Sequence, residues 1–145
     1  MKLRRFLFLL WAGLLVAAAA CAQPVSTLYD KTEYRIAMRD SVRLHTSVFT
    51  PKAPGKAPII IFRTPYGTGP YGEGQFPGSF EKGYMRSYVD RGYIIVMQDV
   101  RGRYMSEGDF EHVRPAGSGE TDETTDSYDT VDWLVRHIPH NNGRG

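Results

Sequence analysis

The chain has 145 residues, enough for one domain at most, and its formal net charge at pH 7 is +2. Three basic residues and no acidic residue lie in the first 22 positions, so the rest of the chain is close to neutral. This balance excludes a nucleic-acid binder with a basic body, because phosphate neutralisation needs clustered lysine and arginine. The single cysteine, Cys21, excludes a zinc site built on cysteines and a disulfide within the body of the chain.

Residues 1–22 have the order of a secretory signal peptide. A cationic start precedes an apolar run over residues 6–20 and then small residues. The run is shorter than the ~20 residues that span a bilayer core, although an uncleaved anchor is an alternative. Two processing hypotheses stay open: cleavage that gives a soluble protein beginning at Gln23, and lipidation of Cys21 in a bacterial lipobox. We expect residues 23–145 to be periplasmic or secreted, with membrane contact only through the leader or a lipid on Cys21.

The body begins with a predicted β-hairpin. Apolar and polar residues alternate over residues 29–40 and again over residues 42–50. Asp40-Ser41 is the predicted turn between them. We expect residues 34–38 to pair with residues 42–49 in an antiparallel arrangement.

Strands then alternate with helices. Continuous apolar runs at residues 59–62 and 93–97 are typical of strands that are buried on both faces. Helices are predicted over residues 80–91 and residues 121–137, and Gly/Pro-rich loops follow each buried strand. The alternation predicts an α/β fold with a largely parallel sheet. A compact α+β domain with an antiparallel sheet is the alternative.

Each predicted helix has an apolar stripe that should face the core. The stripe of the first consists of Phe80, Tyr84, Tyr88 and Val89, and that of the second of Tyr128, Val131, Leu134, Val135 and Ile138. Acidic residues at the start of the second helix suit the helix dipole. Their spacing does not match a calcium loop, so we interpret Asp122, Asp126, Asp129 and Asp132 as helix-start and solvent-facing residues. Asp132 and Arg136 are spaced for an i,i+4 ion pair.

One glycine motif is a decoy. Gly67 to Gly72 matches G-x-G-x-x-G, the pattern of a dinucleotide site. Such a site needs a helix that opens at the glycines, whereas Pro70 lacks an N–H group and the residues that follow predict no helix. We interpret the match as chance. The competing hypothesis, a nicotinamide-dependent enzyme, predicts dinucleotide binding.

A serine nucleophile of the G-x-S-x-G type is also missing from these residues. Ser79, Ser106 and Ser118 each lack a glycine at one or both of the required positions. We therefore expect no nucleophile elbow in this chain.

The predicted elements are too few for a complete parallel sheet. Two buried strands and two helices cannot cover both faces, and the turn predicted at residues 140–143 stands where another strand should follow. The pattern predicts the N-terminal part of a larger α/β domain, cut before the nucleophile elbow. The alternative is a complete periplasmic binding or structural module without catalysis.

Four segments occur in an order and spacing that point to one family. They are Met-Arg-Asp-Ser-Val-Arg-Leu at 38–44, Arg-Thr-Pro-Tyr at 63–66, Gln-Asp-Val-Arg-Gly at 98–102 with Ser-Glu-Gly at 106–108, and Thr-Asp-Glu at 121–123 with Asp-Thr-Val-Asp-Trp-Leu at 129–134. Together they resemble the start of the cocaine esterase/X-Pro dipeptidyl-peptidase-like serine hydrolases. With Thr124-Thr125-Asp126 and Asn142-Gly143-Arg144, the resemblance is greatest to α-amino-acid ester hydrolases.

The resemblance implies an α/β-hydrolase core with a Ser-His-Asp triad and no metal or cofactor. It assigns the hydroxyl of Tyr66, in Arg-Thr-Pro-Tyr, to the oxyanion hole; the alternative is a packing or surface role for this residue. Asp99 and Arg101 are expected to form ion pairs or to fix a loop, while Glu107 and Asp109 have no assigned role.

The resemblance places the nucleophile elbow a few residues beyond Asn142-Gly143-Arg144. The triad, the helical cap and the C-terminal jelly-roll domain are therefore all expected outside this chain, which alone should be inactive. The implied substrates of the whole protein are small esters, amides or peptides. α-Amino acid esters and amides, including β-lactam side chains, are the expected class, and cleavage would proceed through an acyl-serine. The oligomeric state is not predicted.

Overall fold

A computed structural model describes residues 23–111 and 121–144 of the chain. The predicted leader, with the candidate lipidation site Cys21, lies outside the described residues. A four-stranded mixed sheet has the strand order β1-β2-β4-β3. The elements are α1 (Val25–Leu28), β1 (Tyr29–Ala37), β2 (Arg43–Pro51), β3 (Ile59–Thr64), a 3₁₀ helix (Gly78–Glu81), α2 (Gly83–Asp90), β4 (Ile94–Asp99) and α3 (Glu123–His137).

The predicted hairpin is confirmed and extends further than expected. β1 pairs with β2 from Tyr29 opposite Pro51 to Ala37 opposite Arg43. In the turn, Ser41 has a φ of 71°, and the Asp40 carboxylate accepts a hydrogen bond from the Val42 N–H at 3.2 Å. This is the local side-chain-to-backbone bond for which aspartate is favoured in turns.

Strand β4 joins the hairpin to a parallel pair. It lies antiparallel to β2 and parallel to β3, with Ile59 opposite Ile94 and Thr64 opposite Asp99. The carboxyl ends of β3 and β4 therefore meet at one edge of the sheet, and the loops that follow them emerge side by side. In open α/β sheets this is the edge at which ligands bind.

Each face of the sheet has its own apolar cluster, because successive residues of a strand point to opposite faces. Val48 and Val96 pack with Leu134 of α3 on one face. Their neighbours Phe49 and Ile95 point to the other face, where they pack with apolar residues of α1, the 3₁₀ helix and α2. Within the described part of the chain, no helix is both long and apolar enough to cross a membrane.

The single helix predicted over residues 80–91 is wrong. Lys82 is extended and Gly83 has a φ of +68°, so the segment divides into the 3₁₀ helix and α2. The predicted stripe changes with it: Phe80 and Val89 are buried, but Tyr84 is exposed and Met85 takes its place in the core.

The apolar stripe predicted for α3 is also largely wrong. Leu134 and Ile138 are buried as expected, whereas the stripe's other members, Tyr128, Val131 and Val135, are exposed. The helix instead buries two polar residues, Asp126 and Thr130. Both have polar partners from distant parts of the chain, and these partners decide which face of the helix points inward.

Strand β3 is less buried than its apolar sequence predicts. Of the residues of β3, only Ile59 is buried. In the described part of the chain β3 is an edge strand, with β4 beside it on one side and no strand on the other. On the other side, a parallel bridge joins Ala57 to Asn141, and the Ile59 N–H donates to the Arg144 carbonyl at 2.9 Å. An apolar groove of about 420 Å³ lies there between β3 and α3.

Candidate active site

Tyr66 lies two residues beyond the end of β3, at the edge of the sheet where the parallel strands end. Its N–H donates to the Thr64 hydroxyl at 3.1 Å, a local bond that turns the chain away from the strand. Tyr66 is 80% exposed. Its phenol is thus presented to solvent at this edge.

The backbone around Tyr66 is fixed at several points. We call residues 65–72 the tyrosine loop. Arg103 donates to the Pro65 carbonyl at 3.1 Å. A Cβ added to Gly67, which has a φ of +90°, would lie 3.0 Å from the Tyr104 ring, so the loop also approaches that ring closely.

Lys31 of β1 holds the far end of the tyrosine loop. Its ammonium donates to the carbonyls of Pro70 and Gly72 at 2.7 and 3.0 Å and lies 2.7 Å from a Glu33 carboxylate oxygen. The same oxygen accepts the Gly72 N–H at 2.8 Å. An ammonium has three N–H donors, and here each has an acceptor, which explains how a lysine side chain is tolerated with no exposed surface.

Glu33 stays ionised in this cluster. Burial opposes its ionisation, but the hydrogen bonds from Lys31 and the Gly72 N–H outweigh burial and hold the pKa of the carboxyl below its usual range. His45 lies beside it, with Nε2 3.5 Å from the carboxylate.

Asp99, the last residue of β4, ties the tyrosine loop to the loop that follows β4. It accepts the Tyr71 hydroxyl at 3.0 Å and the Met105 N–H at 3.3 Å. Burial and the hydrogen bond to Asp99 raise the pKa of Tyr71, so this phenol remains a donor. The sequence prediction of a loop-fixing role for Asp99 is confirmed.

Residues 100–108, which follow β4, form what we call the arginine loop. The Arg101 guanidinium bonds Asp126 of α3 through Nε and Nη2, at 3.0 and 2.6 Å, and Asp40 of the hairpin turn at 2.6 Å. Hydrogen bonds to these carboxylates raise the pKa of Arg101, with Asp126 the larger influence. The expected ion-pair role of Arg101 is therefore confirmed.

The acids of α3 are not all solvent-facing, contrary to the sequence interpretation. Asp122 is a helix-start residue, as expected, and caps α3 by accepting the Thr125 N–H at 2.8 Å. Asp126 is buried against Arg101, and Asp129 accepts two hydrogen bonds from the Arg39 side chain. The predicted pair of Asp132 with Arg136 is present on the surface at 2.7 Å.

Ser106 has a structural role. Its hydroxyl donates to the Asp99 carbonyl at 2.6 Å and accepts the His45 N–H at 2.8 Å. Glu107, which had no assigned role, accepts the Arg43 N–H at 3.0 Å. Both side chains therefore attach the arginine loop to β2. Ser118 lies outside the described residues.

The decoy interpretation of the glycine motif agrees with the structure. No helix begins at Gly67–Gly72 in the described chain, where helical residues resume only at Gly78. Among the described residues, no three histidine, cysteine or acidic side chains are placed together so that they could bind a metal. The chemistry that this edge offers is hydrogen-bond donation by an exposed phenol.

Comparison with known proteins decides the family. The X-Pro dipeptidyl-peptidase (S15) family matches residues 40–144, which is well over half of the chain. The chain belongs to this family. The resemblance of the four sequence segments is thereby confirmed.

Relatives of this S15-family chain include esterases and a peptidase. Cocaine esterase of Rhodococcus sp. (strain MB1 Bresler) is 34% identical over 101 residues, which are 69% of this chain and 16% of the esterase. The solved structure of an α-amino acid ester hydrolase has a TM-score of 0.68 at 36% identity, over 88% of this chain and 23% of that one. The solved structure of an aminopeptidase from the marine sediment archaeon Thaumarchaeota archaeon has a TM-score of 0.67 at 35% identity. The match covers 88% of this chain and 22% of the aminopeptidase.

The S15-family chain thus spans between about a sixth and a quarter of the length of these relatives. Its mixed sheet is part of an α/β-hydrolase fold, as the sequence predicts. The family consists of hydrolases that act as esterases or peptidases.

Sequence reasoning proposed Tyr66 as a site residue but missed the residues that hold its loop. Lys31 and Glu33 stand two positions apart and follow Tyr29, so the period of two places all three on one face of β1. That signal was present in the sequence. Nothing local indicated that the partners of Lys31 would be carbonyls about 40 residues away.

Proposed function

We propose that this chain supplies the N-terminal part of the catalytic domain of an exported serine hydrolase. The whole enzyme would cleave small esters, amides or peptides through an acyl-serine, with α-amino acid esters and amides as the preferred class. Family membership and the similarity to an α-amino acid ester hydrolase support this proposal over a non-catalytic binding module.

The observation that carries the proposal is the exposed phenol of Tyr66 on a loop whose backbone is fixed. Acyl transfer develops negative charge on the carbonyl oxygen of the substrate. A donor already in place stabilises that oxygen without reorganisation, which is the basis of an oxyanion hole. Tyr66 would donate its hydroxyl to this oxygen.

The remaining catalytic parts belong, in this proposal, to polypeptide that follows Arg144. The backbone of residues 140–144 already pairs with the start of β3. A strand continuing from there would end at the edge where Tyr66 lies. A nucleophile on the turn after that strand would approach the Tyr66 phenol, while residues 23–145 alone would be inactive.

Export is the proposed route for this enzyme. The cationic and apolar order of residues 1–22 supports a signal peptide, with release at Gln23 or lipidation of Cys21 as the two processing routes. The enzyme would then act in the periplasm or outside the cell.

Tyr66→Phe in the whole enzyme tests the proposed role. We expect kcat on an α-amino acid ester to fall by roughly 10- to 1000-fold with KM little changed, because the lost donor acts mainly in the transition state. Steady-state kinetics at neutral pH measure both constants.

Tyr128→Phe is the matched control for that variant. Tyr128 is also an exposed tyrosine, but it lies on α3, and its replacement should leave kcat unchanged. Equal kcat values for wild type and Tyr66→Phe would remove Tyr66 from the mechanism.

A further inference from the structure

We propose that Lys31 and Tyr71 are positioning residues for acyl transfer, acting through the tyrosine loop on the phenol of Tyr66. This inference rests on the proposed function of Tyr66. Lys31 is directed at the backbone of the loop, and the Tyr71 hydroxyl is directed at Asp99 of β4, so each is assigned a role through the loop.

The first step of the argument is the unusual position of Lys31. A lysine with no exposed side-chain surface is rare, and burying its charge is costly unless all donors are satisfied. Its three donors are satisfied by Pro70, Gly72 and Glu33, and two of these acceptors are backbone carbonyls of the tyrosine loop. The buried charge therefore fixes a loop that carries a candidate catalytic group.

The second step is the independent attachment through Tyr71. Its hydroxyl donates to Asp99 at 3.0 Å, and its ring packs edge-on against His45, with 5.1 Å between the ring centroids. Asp99 is fully buried at the end of β4. The loop is thus joined to β1 through Lys31 and to β4 through Tyr71.

The third step is the contrast between this fixed backbone and the free side chain that it carries. Tyr66 is 80% exposed, so within the described residues little packing restrains its ring. The backbone of the loop sets where this side chain starts and therefore which positions its phenol can reach. Since a displacement of about 1 Å can lower a rate by as much as 100-fold, losing either attachment should lower kcat.

A double-mutant cycle separates positioning from general damage. In the whole enzyme we expect Lys31→Met to lower kcat by roughly 10- to 100-fold with KM within about threefold of wild type. In a Tyr66→Phe background the same substitution should lower kcat by less than about threefold, because the donor that Lys31 positions is already gone. Lys52→Met is the matched control: Lys52 makes an exposed pair with Asp30, and its loss should change kcat in neither background.

Tyr71→Phe repeats the cycle with a smaller change, removing one hydroxyl while the ring stays against His45. It decides the question if Lys31→Met does not fold. Equal factors of loss in the wild-type and Tyr66→Phe backgrounds would overturn the positioning role of the residue tested. A Tyr66→Phe enzyme with wild-type kcat would instead refute the proposed function of Tyr66, a distinguishable result.

Discussion

The loops that follow β3 and β4 start side by side at one edge of the sheet but differ in their main attachments. The tyrosine loop is held largely by its backbone, since Lys31 and Arg103 donate to its carbonyls, and the Tyr71 hydroxyl adds a bond to Asp99. Its side chain at position 66 is left exposed. The arginine loop is held mainly by its own side chains, above all by Arg101, which reaches inward to Asp126 and Asp40.

This difference suits two different tasks: one loop presents a side chain to a substrate, and the other supports the fold. A loop that must offer a side chain to a substrate cannot use that side chain as its own anchor, so other residues bind its backbone. A loop that only joins elements can bury its most strongly interacting side chain. Arg101 connects the hairpin turn to α3 and has little surface left for a ligand.

The largest expected effect is that of breaking the arginine loop. Arg101→Met leaves Asp126, which is 1% exposed, as a buried carboxylate without its main partner. Removal of one partner from a buried ion pair costs about 3–5 kcal/mol, so we expect the free energy of unfolding to fall by about that amount. Chemical denaturation of the protein measures it.

Arg136→Met is the control for that experiment. Arg136 makes an exposed i,i+4 pair with Asp132, and exposed helix pairs contribute about 0.3–0.5 kcal/mol. If the two variants lost the same stability, burial would not be what makes the Arg101 cluster strong.

A smaller effect, common to both loops, is expected on acidification. Hydrogen bonds from Arg101 outweigh burial and hold the pKa of Asp40 below its usual value, and Lys31 does the same for Glu33. Each folded-state pKa is thus below the unfolded value. The stabilisation is present above about pH 4.5 and is lost as pH falls through the folded-state pKa.

Thermal unfolding between pH 6 and pH 3 tests this expectation, and the melting temperature should fall most steeply below pH 4.5. Asp40→Asn and Glu33→Gln should each be less stable at pH 6 and show a shallower fall, because one titrating carboxylate is gone. Parallel curves for wild type and both variants would mean that neither carboxylate couples its loop to pH.

The sequence predicted those parts of the fold that depend on local pattern. Alternation of apolar and polar residues predicted the hairpin, and two apolar runs predicted β3 and β4. The acidic residues at its start and Pro139 at its end predicted the bounds of α3 to within two residues. The family motifs added the hypothesis that Tyr66 is catalytic, whereas sequence chemistry alone favours a packing or surface role for it.

The rest depends on partners that are distant in sequence. The buried face of α3 includes Asp126 because Arg101, 25 residues earlier, lies against it. Thr130 is buried because Gln98 bonds it from β4. Lys31 is buried because carbonyls 39 and 41 residues later surround its ammonium. The periodicity of apolar residues along the chain cannot predict such polar contacts between residues that are distant in sequence.

The smallest expected effect completes the comparison of the two loops. Tyr66→Phe removes a hydroxyl from a side chain that is 80% exposed, while the bond from its N–H to Thr64 is unaffected. We expect the free energy of unfolding to change by less than about 0.5 kcal/mol, as for other surface substitutions. Denaturation of this variant beside Arg101→Met measures the stability contributed by both loops on one scale.

A loss of stability near that of Arg101→Met would show that the phenol supports the fold, and the distinction between a presenting and a supporting loop would fail. An unchanged stability together with a lowered kcat would instead assign the hydroxyl of Tyr66 to the reaction alone.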